Sequence, residues 1–170
     1  MSLELALILG NTLGLLLALG VIVANRGRGR ARPGGRVADV VFRSPQGSVQ
    51  RLSQWRGRRV ALCLLSPWDA EHPARRAELL ALEPIARDQA VVAIIVNGSV
   101  GDAKALSQTF PERLPVFVCS ERAAAALHVA ALPAMRLVNA SGTLVGSFEG
   151  IAAESVLNQF NPTSGTVAHG

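Results

Sequence analysis

The sequence predicts an α/β fold with a mixed central sheet flanked by helices, preceded by one N-terminal membrane-spanning helix. Three observations carry this expectation. Residues Leu5 to Ala24 form a run without a single charge. From Val37 onward, short apolar runs alternate with stretches of helical periodicity. Near the C-terminus two apolar runs flank Ala140-Ser141-Gly142, the mark of a hairpin. Strands alternating with helices and closed by a hairpin make layers of helix on a mixed sheet.

The N-terminal run is expected to be a retained anchor, residues 1–25. Its apolar core is long enough as a helix to span about 30 Å of hydrocarbon. A cleaved signal peptide is the competing reading, but that needs a basic start and a shorter apolar run. Here the run is preceded by Ser2-Leu3-Glu4. Ala6, Gly10, Gly14 and Ala18 recur at every fourth position. Small residues at that spacing let a second helix approach closely in lipid. The alternative is a helix that packs only against lipid, since Gly and Ala are common in such helices.

Residues 26–36 read as a flexible linker. Arg26, Arg28, Arg30 and Arg32 alternate with Gly and Ala, and Pro33-Gly34-Gly35-Arg36 follows. The chain carries 17 Lys and Arg against 12 Asp and Glu, a net of +5. Five of those arginines lie between Arg26 and Arg36, so residues 37–170 are close to neutral. The basic character belongs to the linker, which suits anionic lipid headgroups. It argues against a nucleic-acid partner, which would need a basic face on the folded part.

The folded part is expected over residues 37–160, with a flexible polar tail over 161–170. Val37 to Phe42 and Ser48 to Leu52 are short strands around the turn Ser44-Pro45-Gln46-Gly47. Arg59 to Leu65 and Ala90 to Val96 are continuous apolar runs, as central strands require. Pro73 to Arg87 has the apolar spacing of a helix, with Pro73 in its first turn. A short helix follows over Asp102 to Phe110, with Asp102 as its expected N-cap. Leu114 to Cys119 is a strand, and Ser120 caps a helix from Glu121 to His128. Ala134 to Asn139 and Thr143 to Phe148 make the hairpin, and Ala153 to Phe160 a last helix.

The candidate site is the turn Ser66-Pro67-Trp68-Asp69-Ala70-Glu71-His72-Pro73, between a central strand and a helix. Free amides and the helix dipole at such a place favour an anion or a thiolate. The segment Leu52-Ser53-Gln54-Trp55-Arg56-Gly57-Arg58-Arg59-Val60 resembles the lead-in to the active site of membrane-anchored thioredoxin-like proteins. Leu132-Pro133, with the strand and glycine hairpin after it, is similar to their cis-proline loop. Within that superfamily the chain resembles the methylamine-utilisation thioredoxin-like proteins, which share the anchor, a Ser-Pro before the dithiol and a leucine before the proline. The resemblance spans about residues 37–160. It implies a thioredoxin-like fold and a groove formed by Trp68, Asp69, His72, Leu132 and Pro133 that accepts an extended segment.

The resemblance also places the two cysteines of a Cys-x-x-Cys motif at Asp69 and His72. Those residues supply neither a low-pKa thiolate nor a resolving thiol. The chain's two cysteines are elsewhere. Cys63 sits mid-strand and reads as a buried small hydrophobe. Cys119 ends a strand and is better placed for exposure. They could pair only if their Cα atoms came within about 7 Å. Asp69, Glu71 and His72 lack further ligands at metal spacing, with His128 late on a helix and His169 in the tail, so no metal and no cofactor is expected. A hydrolytic role would need a nucleophile, and Ser66 in a Ser-Pro turn is an ordinary turn residue.

Three functions follow as expectations. The first is a redox-inactive accessory, assembly or docking subunit of a membrane complex concerned with electron transfer. The second is a thiol-disulfide oxidoreductase using Cys119, with Cys63. The third is a lipid-surface regulator acting through Arg26 to Arg32. The resemblance implies a single-pass protein of a bacterial inner membrane with its domain in the periplasm. The arginines after the anchor argue for the cytoplasmic side instead.

Overall fold

The computed structural model describes residues 34–87 and 89–152. The anchor with its small-residue ladder, Arg26 to Arg32, the helix expected over 153–160 and the tail lie outside the described residues. Among the described residues no helix is long and apolar enough to cross a membrane.

Seven strands form one sheet: β1 (Val41–Arg43), β2 (Val49–Arg51), β3 (Val60–Leu65), β4 (Ala90–Val96), β5 (Val116–Cys119), β6 (Ala134–Val138) and β7 (Leu144–Glu149). Their spatial order is β2-β1-β5-β4-β3-β6-β7. The three central strands β5, β4 and β3 run parallel, and every other pairing is antiparallel. The mixed α/β sheet expected from the sequence is therefore the observed one. β3 and β5 are buried along their whole length because layers cover both faces.

Alternate residues feed two cores, as the pleat dictates. On one face Ala61, Cys63, Leu65, Val91, Ile95 and Met135 meet Leu79, Leu82, Ala103 and Leu106. These last come from helices α2 (Pro73–Leu80) and α3 (Val100–Ser107) and from the turn between α2 and β4. On the other face Leu62, Leu64, Ile94, Phe117 and Cys119 meet Phe42, Leu52, Ala124 and Leu127. Trp55 closes this core, its ring 5.8 Å from Phe42 and 5.6 Å from Phe117. It is carried by a 3-10 turn, Leu52–Trp55.

Several expected boundaries move. The helix begun at Pro73 stops at Leu80, not Arg87. Pro84 explains this: it lacks an N–H, and its ring would strike the carbonyl of residue 80. The chain continues through a turn and a 3-10 segment, Ile85–Arg87. A separate helix, α1 (Pro67–Glu71), occupies what the sequence reads as a turn. The N-cap of α3 is Ser99, not Asp102; Asp102 sits at N3 and completes a capping box with it. The helix after Ser120 is α4 (Glu121–Ala126), which ends before His128. The first strand starts at Val41: just before it the Val40 amide donates to the Ala38 carbonyl at 2.9 Å, a tight turn that interrupts the extended run, and the Asp39 carboxylate accepts from the Ser53 amide and hydroxyl at 2.8 and 3.0 Å.

Candidate functional site at the C-terminal ends of the central strands

Because β3, β4 and β5 run parallel, their C-termini deliver Ser66, Asn97 and Ser120 to one end of the sheet. At the end of β3 the chain turns directly into α1. Ser66 takes extended backbone angles and accepts the Asp69 amide at 3.1 Å. In return the Asp69 carboxylate accepts from the Ser66 amide at 3.0 Å and from the Ser66 hydroxyl at 2.6 Å. Arg75 stands 3.9 Å from the same carboxylate and is held by Glu78 at 2.6 Å. Asp69 is thus fully engaged as a helix cap. His72 ends α1 and starts α2, its exposed ring accepting the Ala74 amide at Nδ1, 3.3 Å away.

The Leu132–Pro133 peptide is cis. The β3–β6 ladder ends at Leu64 opposite Ala134. Pro133 adjoins that last pair, so the cis peptide lies at the same end of the sheet as Ser66. Trp68 projects from that helix with 74% of its surface exposed. A large indole so open to water has its apolar face unused within the chain.

Both cysteines are free and buried. Cys119 is not exposed as the sequence suggested: it is 7% accessible, covered by Phe42, Ala124 and Leu127 of the same core. Cys63 lies in the opposite core. The two are separated by β4 and offset by three residues along it, Cys63 beside Ala93 and Cys119 beside Val96. Strand spacing and rise put them about 14 Å apart, twice the reach of a disulfide. Burial pushes the Cys63 thiol up to about 12 and the Cys119 thiol up to about 11, a backbone hydrogen bond at Ala124 opposing the latter in part.

These shifts give a pH prediction. Above the ordinary value of 9.0 the unfolded chain releases thiol protons that the folded chain keeps. The unfolded state then binds fewer protons, so stability falls as pH rises from 9 toward 11. Thermal melts from pH 7.5 to 10.5 should show that decline, and its part due to thiols should vanish in Cys63→Ala/Cys119→Ala. Alkylation by iodoacetamide at pH 8 should be slow at both thiols when folded and fast in urea.

Sequence reasoning missed a second feature at this end of the sheet. A cavity of about 580 Å³ is lined by Val41, Arg43, Asn97, Gly98, Val118, Cys119 and Ser120. Asn97, with φ of 56°, turns the chain out of β4 and accepts the Glu121 amide at 2.9 Å. The sequence signal was Asn97-Gly98 directly after an apolar strand. Among the described residues no cluster of three His, Cys, Asp or Glu side chains is placed to hold a metal ion.

No protein-family model matches the chain, and no curated protein matches it. Solved structures do match. A putative thiol:disulfide interchange protein DsbE from Chlorobium tepidum is 19% identical with a TM-score of 0.66, over 80% of this chain and 100% of that one. A putative protein disulfide isomerase from Bacteroides thetaiotaomicron is 21% identical with a TM-score of 0.63, over 77% and 89%. The pneumococcal exposed lipoprotein thioredoxin Etrx1 from Streptococcus pneumoniae is 22% identical with a TM-score of 0.60, over 74% and 99%. The fold is thioredoxin-like, as the sequence resemblance implied.

Proposed function

We propose that this protein is a redox-inactive accessory, assembly or docking subunit of a membrane protein complex, held there by residues 5–24, with its thioredoxin-like domain on the periplasmic side. One observation carries the reading. At the end of the sheet that also carries the cis Leu132–Pro133 peptide, the positions where thiol chemistry would need two cysteines hold Asp69 and His72, and both are spent on capping helices. The exposed Trp68, at the end of the sheet that also carries the cis-proline, supports a surface that receives an extended segment of a client or partner. The ladder Ala6, Gly10, Gly14, Ala18 supports a partner helix in the membrane, and Arg26 to Arg32 supports headgroup contact at its surface.

The test is purification of the full chain in mild detergent from its native membrane. A stoichiometric co-eluting membrane protein is the expected result, and a lone monomer overturns the reading. A phosphatase fused after Gly170 should be active, and a fluorescent reporter dark; the reverse places the domain in the cytoplasm.

A second reading, a thiol-disulfide oxidoreductase, is favoured by one observation: Cys119 lines the open cavity at the same end of the sheet. Disulfide reduction by the pure protein that is abolished in Cys119→Ser would replace the first reading with this one.

A further inference from the structure

Residues 36–170 carry 13 basic against 11 acidic groups, a near-neutral total that hides a strong separation of charge along the chain. From Arg36 to Arg59 the chain carries six arginines against Asp39 alone. From Val60 to the C-terminus it carries seven basic residues against ten acidic ones. The fold collects most of the first group at one place. Val37 donates to the Gly142 carbonyl at 3.0 Å, Arg36 pairs with Thr143, and Gly57 donates to the Ala140 carbonyl at 3.0 Å. The hairpin 140–142 is therefore flanked by Arg36 on one side and by Arg56 and Arg58 on the other, all exposed. Arg51 lies near them, 3.9 Å from Asp39, which is further occupied by Ser53. Arg43 lies apart from them, at the far end of β1 against Val118.

This basic pole is where the linker joins the domain. Gly34 donates to the Leu144 carbonyl at 2.9 Å, and Leu144 donates back to Gly35. The pole lies at the N-terminal ends of β3 and β7, opposite the end that carries the Ser66–His72 segment. That opposite end carries Asp69, Asp102 and Glu121 in the first turns of its helices, with Arg43 and Arg75 among them. Only residues 25–33 separate Gly34 from the apolar run, a span of about 30 Å at most when extended.

We propose that the pole formed by Arg36, Arg56 and Arg58 around the hairpin 140–142 docks on anionic phospholipid headgroups, so that Trp68 and the cis-proline face away from the bilayer. The inference rests on the anchor in the reading above. Charge complementarity and the point of tethering select lipid as the occupant. Each basic side chain near an anionic surface strengthens association about fivefold, so three give about a hundredfold.

The experiment uses the full chain in nanodiscs of phosphatidylcholine with or without phosphatidylglycerol, read by hydrogen exchange. In anionic discs, amides of residues 36–39, 56–58 and 140–142 should exchange at least fivefold more slowly, with residues 66–73 unchanged. The slowing should disappear at high salt and in Arg36→Gln/Arg56→Gln/Arg58→Gln, a variant whose melt should match the parent. Equal exchange in both lipids, or slowing at 66–73 instead, overturns the inference. So does binding of RNA by the pole at physiological salt without any lipid effect. The anchor is read separately by flotation with phosphatidylcholine vesicles in high salt. A chain that floats yet shows no lipid-dependent exchange sinks the docking pole and keeps the anchor. A chain that associates with phosphatidylglycerol alone, and is stripped by salt, sinks the anchor and supports the pole.

Discussion

Replacing Arg136 with methionine is expected to destabilise the domain by about 3 kcal/mol, the cost of leaving at least two buried carbonyls without donors. Arg136 is 3% exposed, in the middle of β6, pointing to the face that holds α4. Its guanidinium donates to four carbonyls: Leu127 at 3.1 Å, His128 at 2.6 Å, Met135 at 2.9 Å and Phe148 at 3.2 Å. The first two are the orphan acceptors beyond the end of α4, where a cation also meets the negative end of the helix dipole. Burial lowers the Arg136 pKa, and the charge of Glu149 acts against that. A guanidinium is stable in a core when its donors are matched, and four of the five N–H groups of Arg136 have carbonyl partners. Methionine keeps much of the volume and none of the donors. Circular dichroism melts should show Tm lower by about 10 °C, given about 3–4 °C per kcal/mol for a domain of this size. Arg136→Lys should recover only part of the loss, because one ammonium cannot span a fork of four acceptors. A melt unchanged within 2 °C for Arg136→Met would show that water replaces the guanidinium at no cost.

That residue also marks where the sequence stopped being informative. A charge inside a strand reads as a solvent-facing position, and nothing local reveals that the turn after α4 needs a donor from 9 residues away. The central strands were legible because burial on both faces leaves continuous apolar runs, as in Val60–Leu65 and Ala90–Val96. The sequence extends the helix after Pro73 too far because apolar spacing persists through Leu82 and Ile85, which stay in the core on a turn and a 3-10 segment, not on an α-helix. Pro84 was the overlooked stop. Two capping boxes, Ser66 with Asp69 and Ser99 with Asp102, were written in the sequence as Ser-x-x-Asp and were read as an emptied site and a simple N-cap. Cys119 looked exposed because it ends its strand. The packing of Phe42 and α4 over that end is a long-range fact that the strand itself does not record.

The double variant Asp69→Cys/His72→Cys should show a readily measured rate of disulfide reduction that is absent from the parent if the proposed redox-inactive reading holds. The argument starts from the two donors that Asp69 now occupies. The Ser66 amide and hydroxyl approach one carboxylate oxygen at 3.0 and 2.6 Å, at the positive end of α1. Together they form a seat for negative charge, and a thiolate at position 69 would inherit both, which lowers its pKa. Position 72 lies three residues on, and its amide already donates to the Asp69 carbonyl at 3.2 Å, so the backbone between them is one helical turn. Three residues along a helix separate Cα atoms by about 5 Å, inside the range a disulfide spans. Losing the capping box costs about 1 kcal/mol, which a folded domain tolerates. The measurements are insulin reduction with dithiothreitol, and mass spectrometry of the oxidised protein for a 69–72 bridge. Trp68 and Pro133 are unchanged in this variant. Each single variant should remain inactive in turnover, since one thiol can form a mixed disulfide but cannot resolve it. If the double variant melts like the parent and still neither bridges nor turns over, the segment is not an emptied dithiol site, and the weight of the functional reading shifts to the cavity beside Cys119.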